Sequence, residues 1–292
     1  MRQQKVAFIG LGVMGYPMSG YLSKMGYETK VYNRTKATAD RWVNDYTGAV
    51  CDTPKEAAID CDVVFICVGN DEDVRSVTYG SDGILSGMKS GAVLVDHTTT
   101  SAELAVELAK VAKEQGIDFI DAPVSGGQAG AENGALTVMC GGDQAVFDRT
   151  APYMAVYAKQ ISLLGENGQG QRCKMVNQIC IGGVLQGLSE GLLLAQKAGL
   201  KIEDVVETLK HGAAGSWQME NRAVTMTQDK FDFGFAIDWM RKDLGFCLDE
   251  AEKYGITLPL TKEVYEKYGA LQAKGLGRLD TSVLCKALEE HQ

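Results

Sequence analysis

Lys174, Asn177 and Gln178 stand at i, i+3 and i+4 in the stretch Gly168-Gln169-Gly170-Gln171-Arg172-Cys173-Lys174-Met175-Val176-Asn177-Gln178. On a helix these three positions share a face, one turn apart. An ammonium held among neutral amides and stripped of water has a lowered pKa and exchanges a proton at neutral pH, which is general acid–base chemistry. The residues alone leave a second reading open, a solvated lysine at a helix start. Another segment, Asp121-Ala122-Pro123-Val124-Ser125-Gly126-Gly127, ends an apolar run with a hydroxyl and two glycines. Consecutive N–H groups with no side chains over them make a cup for an anion, and Ser125 adds a donor. Such a cup suits a carboxylate or a developing oxyanion. The same residues would equally make a Gly-Gly turn with Ser125 bonding locally.

A third group binds rather than reacts. Gly10-Leu11-Gly12-Val13-Met14-Gly15 fits G-x-G-x-x-G, directly after an apolar run and at the start of a helical pattern. In that context Gly10 permits the tight turn, Gly12 lets a pyrophosphate approach the backbone, and Gly15 lets helix and strand pack closely. The helix N-terminus then offers unpaired N–H groups and a positive dipole end to phosphate. An acidic residue at the end of the second strand would select NAD through the ribose 2′-hydroxyl. This chain instead has Asn33-Arg34-Thr35. Asn33 does not repel a 2′-phosphate, Arg34 offers it charge-assisted bonds, and Thr35 adds a donor. The expectation is NADP(H) in preference to NAD(H), with NAD(H) still possible and Arg34 as an ordinary solvated residue the competing reading. Val68, at the end of one strand, and Thr99, after another, are expected to meet the cofactor. His97 is expected as a loop residue near the nicotinamide side rather than as a base.

These residues need elements to carry them. Short β-branched or apolar runs at Lys5–Ile9, 29–32, 63–68, 92–96, Asp118–Asp121 and Leu136–Cys140 read as strands. Helical periodicity separates them at 14–25, 35–46 and 103–115. Such alternation predicts a parallel sheet covered on both faces. Beyond Gly165 no strand pattern remains. Residues 171–200 read as one helix of roughly 40 Å at 1.5 Å per residue, followed by helical patterns at 202–211, 238–254, 260–273 and 282–290. The predicted architecture is an α/β Rossmann-type domain, 1–164, and an all-α domain built around a long interdomain helix, 165–292. Stretches 215–222, with Trp217, and 231–235 are polar–aromatic and read as inter-helix loops, with core packing between helices as the competing reading.

Composition narrows the function classes. The 292 residues carry Lys+Arg 29 against Asp+Glu 38, a net charge of −9. This argues against a nucleic-acid partner, which demands a concentrated basic face. The eight cysteines lack metal-ligand spacing and read as reduced cytosolic thiols. With three histidines, one of them penultimate, no metal site is expected. The N-terminus runs straight into a strand pattern without a signal-peptide cleavage region. Residues 179–195 read as too short and too polar to span a bilayer. The expected location is therefore the cytoplasm, with no membrane partner. The long helix, with its apolar and small-residue face, predicts a homodimer or homotetramer.

Residues 10–18 (GLGVMGYPM), 121–142 (DAPVSGGQAGAENGALTVMCGG) and 168–178, together with Lys242-Asp243-Leu244, occur in that order. Together they resemble the β-hydroxyacid dehydrogenase family, which includes 3-hydroxyisobutyrate dehydrogenase, tartronate semialdehyde reductase and the succinic semialdehyde/glyoxylate reductases. The resemblance spans essentially the whole chain. It implies an active site in the cleft between the domains, with Lys174 as catalytic acid/base. It further implies substrate contacts from Ser125, Gly126 and Asn177, and cofactor contacts from Thr99 and Lys242. Gly127 and Gln178 are added as candidate substrate contacts, and by the family's architecture the stretch with Trp217 would face the cleft, where Trp217 would wall the substrate pocket. Many members carry two Asn after the lysine, whereas this chain has Asn177-Gln178, as tartronate semialdehyde reductases do. The implied activity is hydride transfer between NADP(H) or NAD(H) and a small 3-hydroxy acid or its semialdehyde. Two rivals are an imine reductase, against which Lys174 argues, and a catalytically silent NADP-binding module, against which Ser125, Lys174 and Asn177 together argue.

Overall fold

The computed structural model describes residues 4–291, and side chains through Leu288. The start of the N-terminal stretch and the penultimate histidine's side chain lie outside the described residues. The chain divides into two compact units at Lys174/Met175.

In the first unit the strands and helices run β1 (Lys5–Ile9), α1 (Gly15–Lys24), β2 (Glu28–Tyr32), α2 (Lys36–Asp45), β3 (Ala49–Val50), α3 (Pro54–Ala58), β4 (Val63–Ile66), α4 (Asp71–Thr78), β5 (Val93–Asp96) and α5 (Ala102–Glu114). Then come β6 (Asp118–Asp121), β7 (Val124–Ser125), α6 (Gly127–Glu132), β8 (Leu136–Cys140), α7 (Gln144–Met154) and β9 (Ala158–Leu163). Six strands form a parallel sheet in the order β3-β2-β1-β4-β5-β6. This is the order of a dinucleotide-binding Rossmann sheet. Successive side chains of a strand point to opposite faces, and both faces here are apolar. Val6 and Phe8 of β1, with Val63 and Phe65 of β4, join one core cluster around Leu22 and Trp42. Ala7 and Ile9, with Val64 and Ile66, join the other, around Leu94, Leu104 and Leu108. That is why these strands read as unbroken hydrophobic runs rather than as alternation.

The structure adds a second sheet of three strands, β7-β8-β9, in which β7 is antiparallel to β8. A purely parallel arrangement therefore does not hold. β7 has two residues and β9 is half exposed, so neither leaves a clear hydrophobic pattern. Helices α3 and α4 are set by their caps: Thr53 accepts from Glu56 N and is followed by Pro54, and Asn70 accepts from Asp73 N ahead of an acidic first turn.

Helix α8 (Gln169–Lys197) begins in the first unit and continues into the second. Its 29 residues are long and apolar enough to cross a bilayer by length and composition. The expectation drawn from 179–195 alone is corrected on that point, because the helix starts ten residues earlier. Its buried polar side chains nevertheless meet protein partners. Gln171 bonds to backbone at Thr98 and Thr100, Gln178 to Asp243, and Ser189 to Leu185 O, as in the core helix of a folded domain.

The second unit continues with α9 (Ile202–Leu209), α10 (Trp217–Thr227), α11 (Ile237–Lys253) and α12 (Pro259–Ala273). Trp217 opens α10, capped by Ser216 Oγ accepting from Met219 N, so stretch 215–222 is mostly helix, not loop. The final helical pattern winds as a tighter 3₁₀ helix, Thr281–His291. Met240, Leu244 and Cys247 of α11 are buried together with Val264, Tyr268 and Leu271 of α12.

Candidate active site

The glycine loop lies at the carboxyl end of β1, and each of its glycines has a distinct environment. Gly10 has φ +96°, and a Cβ there would lie 2.2 Å from Cys67 O. A Cβ on Gly15 would lie 2.0 Å from Gly10 O, so α1 packs directly against the loop. Gly12 faces open space, with nothing within 4 Å of a built Cβ. Helix α1 has no side-chain cap and no acidic residue in its first turn. Its N-terminal N–H groups, beside Val13 and Met14, therefore fit an anionic pyrophosphate. Leu11 N is already given to Asn33 Oδ1 at 2.8 Å, and Asn33 Nδ2 donates to Thr35 O. Asn33 thus braces the loop. Thr35 is the N-cap residue of α2. Arg34 is 85% exposed at the strand end and pairs with Asp73 at 3.1 Å.

On the neighbouring strand ends, Val68 N donates to Thr98 Oγ1 and Thr98 N to Asp96 Oδ1. Burial pushes the Asp96 carboxyl up to about 7, against these hydrogen bonds. His97 departs from expectation. It is fully buried, stacked on Phe65 with ring centroids 5.7 Å apart. A carbonyl oxygen can only accept, so Nδ1 donates to Ala122 O and Nε2 accepts from Tyr157 OH. Burial lowers its pKa to about 4. It is a neutral core residue, placed inward because the first position past β5 continues the buried face.

Ser125 closes β7, and Gly126 and Gly127 follow with φ of +132° and +60°. Both lie in the left-handed region that favours glycine. A Cβ on Gly127 would meet nothing within 4 Å, so its backbone is open to a ligand.

The start of α8 is clamped in the same unit. Asp121, at the end of β6, accepts from Gly168 N at 2.8 Å and Gln171 N at 3.0 Å. Burial pushes this carboxyl up to about 6, and the two N–H donors oppose that rise. Lys174 follows one turn later and is buried. Asp121 and Gln171 were not singled out from the sequence. An acidic residue closing a strand is a weak signal on its own.

In the second unit Asn177 and Gln178 continue that helix. Gln178 is fully buried; its Nε2 donates to Asp243 Oδ2 at 2.6 Å and its Oε1 accepts from Asn177 Nδ2 at 2.7 Å. Lys242 Nζ lies 3.2 Å from Asp243 Oδ1. Lys242 also lines a cavity of about 340 Å³ with Asp238, Arg241, Phe246, Tyr265 and Gln272. Trp217 is half exposed, and the Arg222 guanidinium sits 4.9 Å from its ring centroid and 4.0 Å from that of Phe233. Asp280, itself buried, accepts from Arg222 Nε. Trp217 and Arg222 share helix α10, whereas Phe233 and Asp280 lie outside it, so the sequence does not show that these groups meet.

A doubly wound parallel sheet with an open glycine loop at a helix N-terminus defines a dinucleotide-binding enzyme domain, here joined to a helical one. Comparison with known proteins agrees. Residues 5–165 match the NAD binding domain of 6-phosphogluconate dehydrogenase, and residues 168–288 match the NAD-binding domain of NADP-dependent 3-hydroxyisobutyrate dehydrogenase. An oxidoreductase of Shewanella frigidimarina is 58% identical over 98% of both chains. The 2-hydroxy-3-oxopropionate reductase of Escherichia coli is 37% identical over 98% of this chain and 97% of its own. Among solved structures, 3-hydroxyisobutyrate dehydrogenase of Mycobacterium tuberculosis with L-serine superposes with a TM-score of 0.88 at 28% identity, covering 98% and 99% of the two chains. The chain belongs to the 3-hydroxyisobutyrate dehydrogenase family, the NAD(P)-dependent oxidoreductases that act on a CH–OH group.

Proposed function

We propose that this enzyme interconverts a small 3-hydroxy acid and its semialdehyde, with NADP(H) preferred over NAD(H). The observation that carries the reading is a buried Lys174 one turn into a helix whose start is held by Asp121, with the amide of Asn177 one turn further on. Bound nicotinamide supplies or takes up the hydride at the carbon bearing the oxygen. In reduction Lys174 gives its proton to the carbonyl oxygen; in oxidation it takes the hydroxyl proton. Asn177 holds that oxygen. Ser125 and the N–H groups of Gly126 and Gly127 receive the substrate carboxylate. Trp217 walls the site, and Lys242 and Thr99 contact the cofactor.

Pyrophosphate is assigned to residues 10–15 and the N-terminus of α1. The 2′-phosphate is assigned to Arg34, exposed and pairable, with Thr35 beside it. A carboxylate-binding enzyme of net charge −9 needs such local donors, because its overall field repels the substrate. We assign it to the cytoplasm as a homodimer or homotetramer. Support for assembly comes from the exposed apolar stripe Val176, Val184 and Leu194 on α8; a monomeric mass by light scattering removes that assignment.

The test is an absorbance screen of NADPH and NADH oxidation against glyoxylate, succinic semialdehyde and tartronate semialdehyde. The reverse reaction is screened with 3-hydroxyisobutyrate, 3-hydroxypropionate and serine. A cyclic imine is included, because its turnover without any hydroxy acid would install the imine reductase reading. Lys174→Ala is expected to lower kcat by about 10²–10⁴-fold with the fold intact. Activity persisting within about tenfold would remove the lysine from its role.

A further inference from the structure

The side chain of Gln171 is fully buried, and its two amide atoms grip the backbone on either side of Thr99. Its Oε1 accepts from Thr100 N at 3.1 Å and its Nε2 donates to Thr98 O at 2.8 Å. The orientation of the amide is unambiguous, because an N–H can only donate and a carbonyl oxygen can only accept. The backbone N–H of Gln171 goes to Asp121 Oδ2 at 3.0 Å. Thr98 in turn receives Val68 N on its Oγ1 and gives its own N–H to Asp96. One continuous hydrogen-bonded chain therefore runs from the carboxyl ends of β4 and β5, through the 98–100 turn, into the first turn of α8. Lys174 is three residues beyond Gln171 on that helix.

We infer that Gln171 is a positioning residue that sets the distance between the cofactor-contacting turn at Thr99 and the proton-transferring Lys174. The inference rests on the roles proposed above for Thr99 and Lys174. Helix α8 and the 98–100 turn belong to different parts of the chain, more than seventy residues apart. Gln171 is the side chain that bonds one to the other at both of its amide atoms. Proton and hydride transfer must be made to adjacent atoms of one substrate, so an error in this distance is an error in both transfers at once. A misplacement of about 1 Å costs on the order of 10²-fold in rate.

Two variants test it, each assayed on the fastest substrate of the screen with the full-length enzyme. Gln171→Met fills the same space without either bond. It is expected to lower kcat about 100-fold per folded molecule. KM for the substrate and Kd for NADPH, read by fluorescence titration, should stay within about threefold, since positioning acts on the rate and not on uniform binding. With C4-deuterated NADPH the isotope effect on kcat should rise as the chemical step becomes the slow one.

Gln171→Glu covers the case in which the methionine variant does not fold. An ionised Glu can only accept and opposes Thr98 O, whereas a protonated Glu offers one acceptor and one O–H donor in the pattern of the native amide. Its kcat should therefore climb toward the wild-type value as pH falls, through an ionisation the wild-type profile lacks.

An unchanged kcat in either variant overturns the inference. So does a loss matched by the loss of folded protein in both variants, a rise in KM alone, or a glutamate profile parallel to wild type. Lys174→Ala, run alongside, separates the two readings. If it stays active, the proposed function and the positioning role fall together. If it is inactive while both Gln171 variants behave as wild type, only the positioning role falls.

Discussion

Replacing Gly170 by alanine puts a single methyl group where the start of α8 meets the strands beneath it. The built Cβ lies 2.4 Å from Met139 O and 2.8 Å from both Asp121 O and Asp121 Oδ2. Ordinary contact begins near 3.4 Å, so helix and strands must part by roughly 1 Å, and all three obstructing atoms belong to held groups. Two effects oppose each other. A helical Gly→Ala exchange gains about 1 kcal/mol from backbone entropy. Overpacking against rigid neighbours costs about 1–3 kcal/mol, and displacing the Asp121 cap adds about 0.5–2 kcal/mol. The balance is a loss of about 0.5–4 kcal/mol. A shift of about 1 Å at this turn reaches Lys174 four residues on, so kcat should fall about 10²-fold. Equilibrium urea denaturation and kcat at saturating substrate read the two effects separately. A variant with unchanged midpoint, and kcat within a few-fold of wild type, would refute the claim that this contact sets the lysine's position.

Arg34→Ala should raise KM for NADPH about tenfold and leave NADH nearly unaffected, because one exposed charge-assisted contact to a 2′-phosphate is lost; steady-state kinetics with both cofactors decide it. His97 is neutral in the fold, with its pKa lowered to about 4 from 6.5, so the unfolded chain binds more protons between these values and stability falls as pH drops through that window. The gap of about 2.5 units corresponds to about 3 kcal/mol. Asp96 and Asp121, with raised pKa values, act in the opposite sense over an overlapping window, so the measurement is the difference between wild type and His97→Asn at each pH. That difference should move in favour of wild type by about 3 kcal/mol from pH 4 to 6.5. Gln178→Glu sets a second carboxylate against Asp243 in a fully buried site; it should destabilise the neutral-pH enzyme by about 3–5 kcal/mol, with recovery on acidification, and equal denaturation midpoints would contradict the bond geometry.

The strands were legible where burial on both faces made them unbroken apolar runs, as in 63–68 and Leu136–Cys140. They were illegible where they were short or half exposed, as in β7 and β9. The small helices α3 and α4 did carry signals, a Thr-Pro-x-Glu cap and an Asn before three acidic residues, but five to eight residues give hydrophobic periodicity too little length to register. His97 shows the opposite failure. Its type suggests chemistry, yet what it does depends on Phe65, Tyr157 and Ala122, none of which is its neighbour in sequence.

What the sequence determined by itself was local: which residues sit one helical turn apart around Lys174, which turn needs glycine, and where alternation of strand and helix gives way to helix alone. Those follow from the repeat of a helix or strand, which is set within a few residues. What only the tertiary structure decided was which distant groups meet. Asp121 reaches the start of α8, Gln171 the backbone flanking Thr99, Gln178 the carboxylate of Asp243, and Arg222 the carboxylate of Asp280. Hydrogen bonds and ring contacts act over about 3–5 Å, and no spacing along the chain encodes a separation that short between residues tens of positions apart.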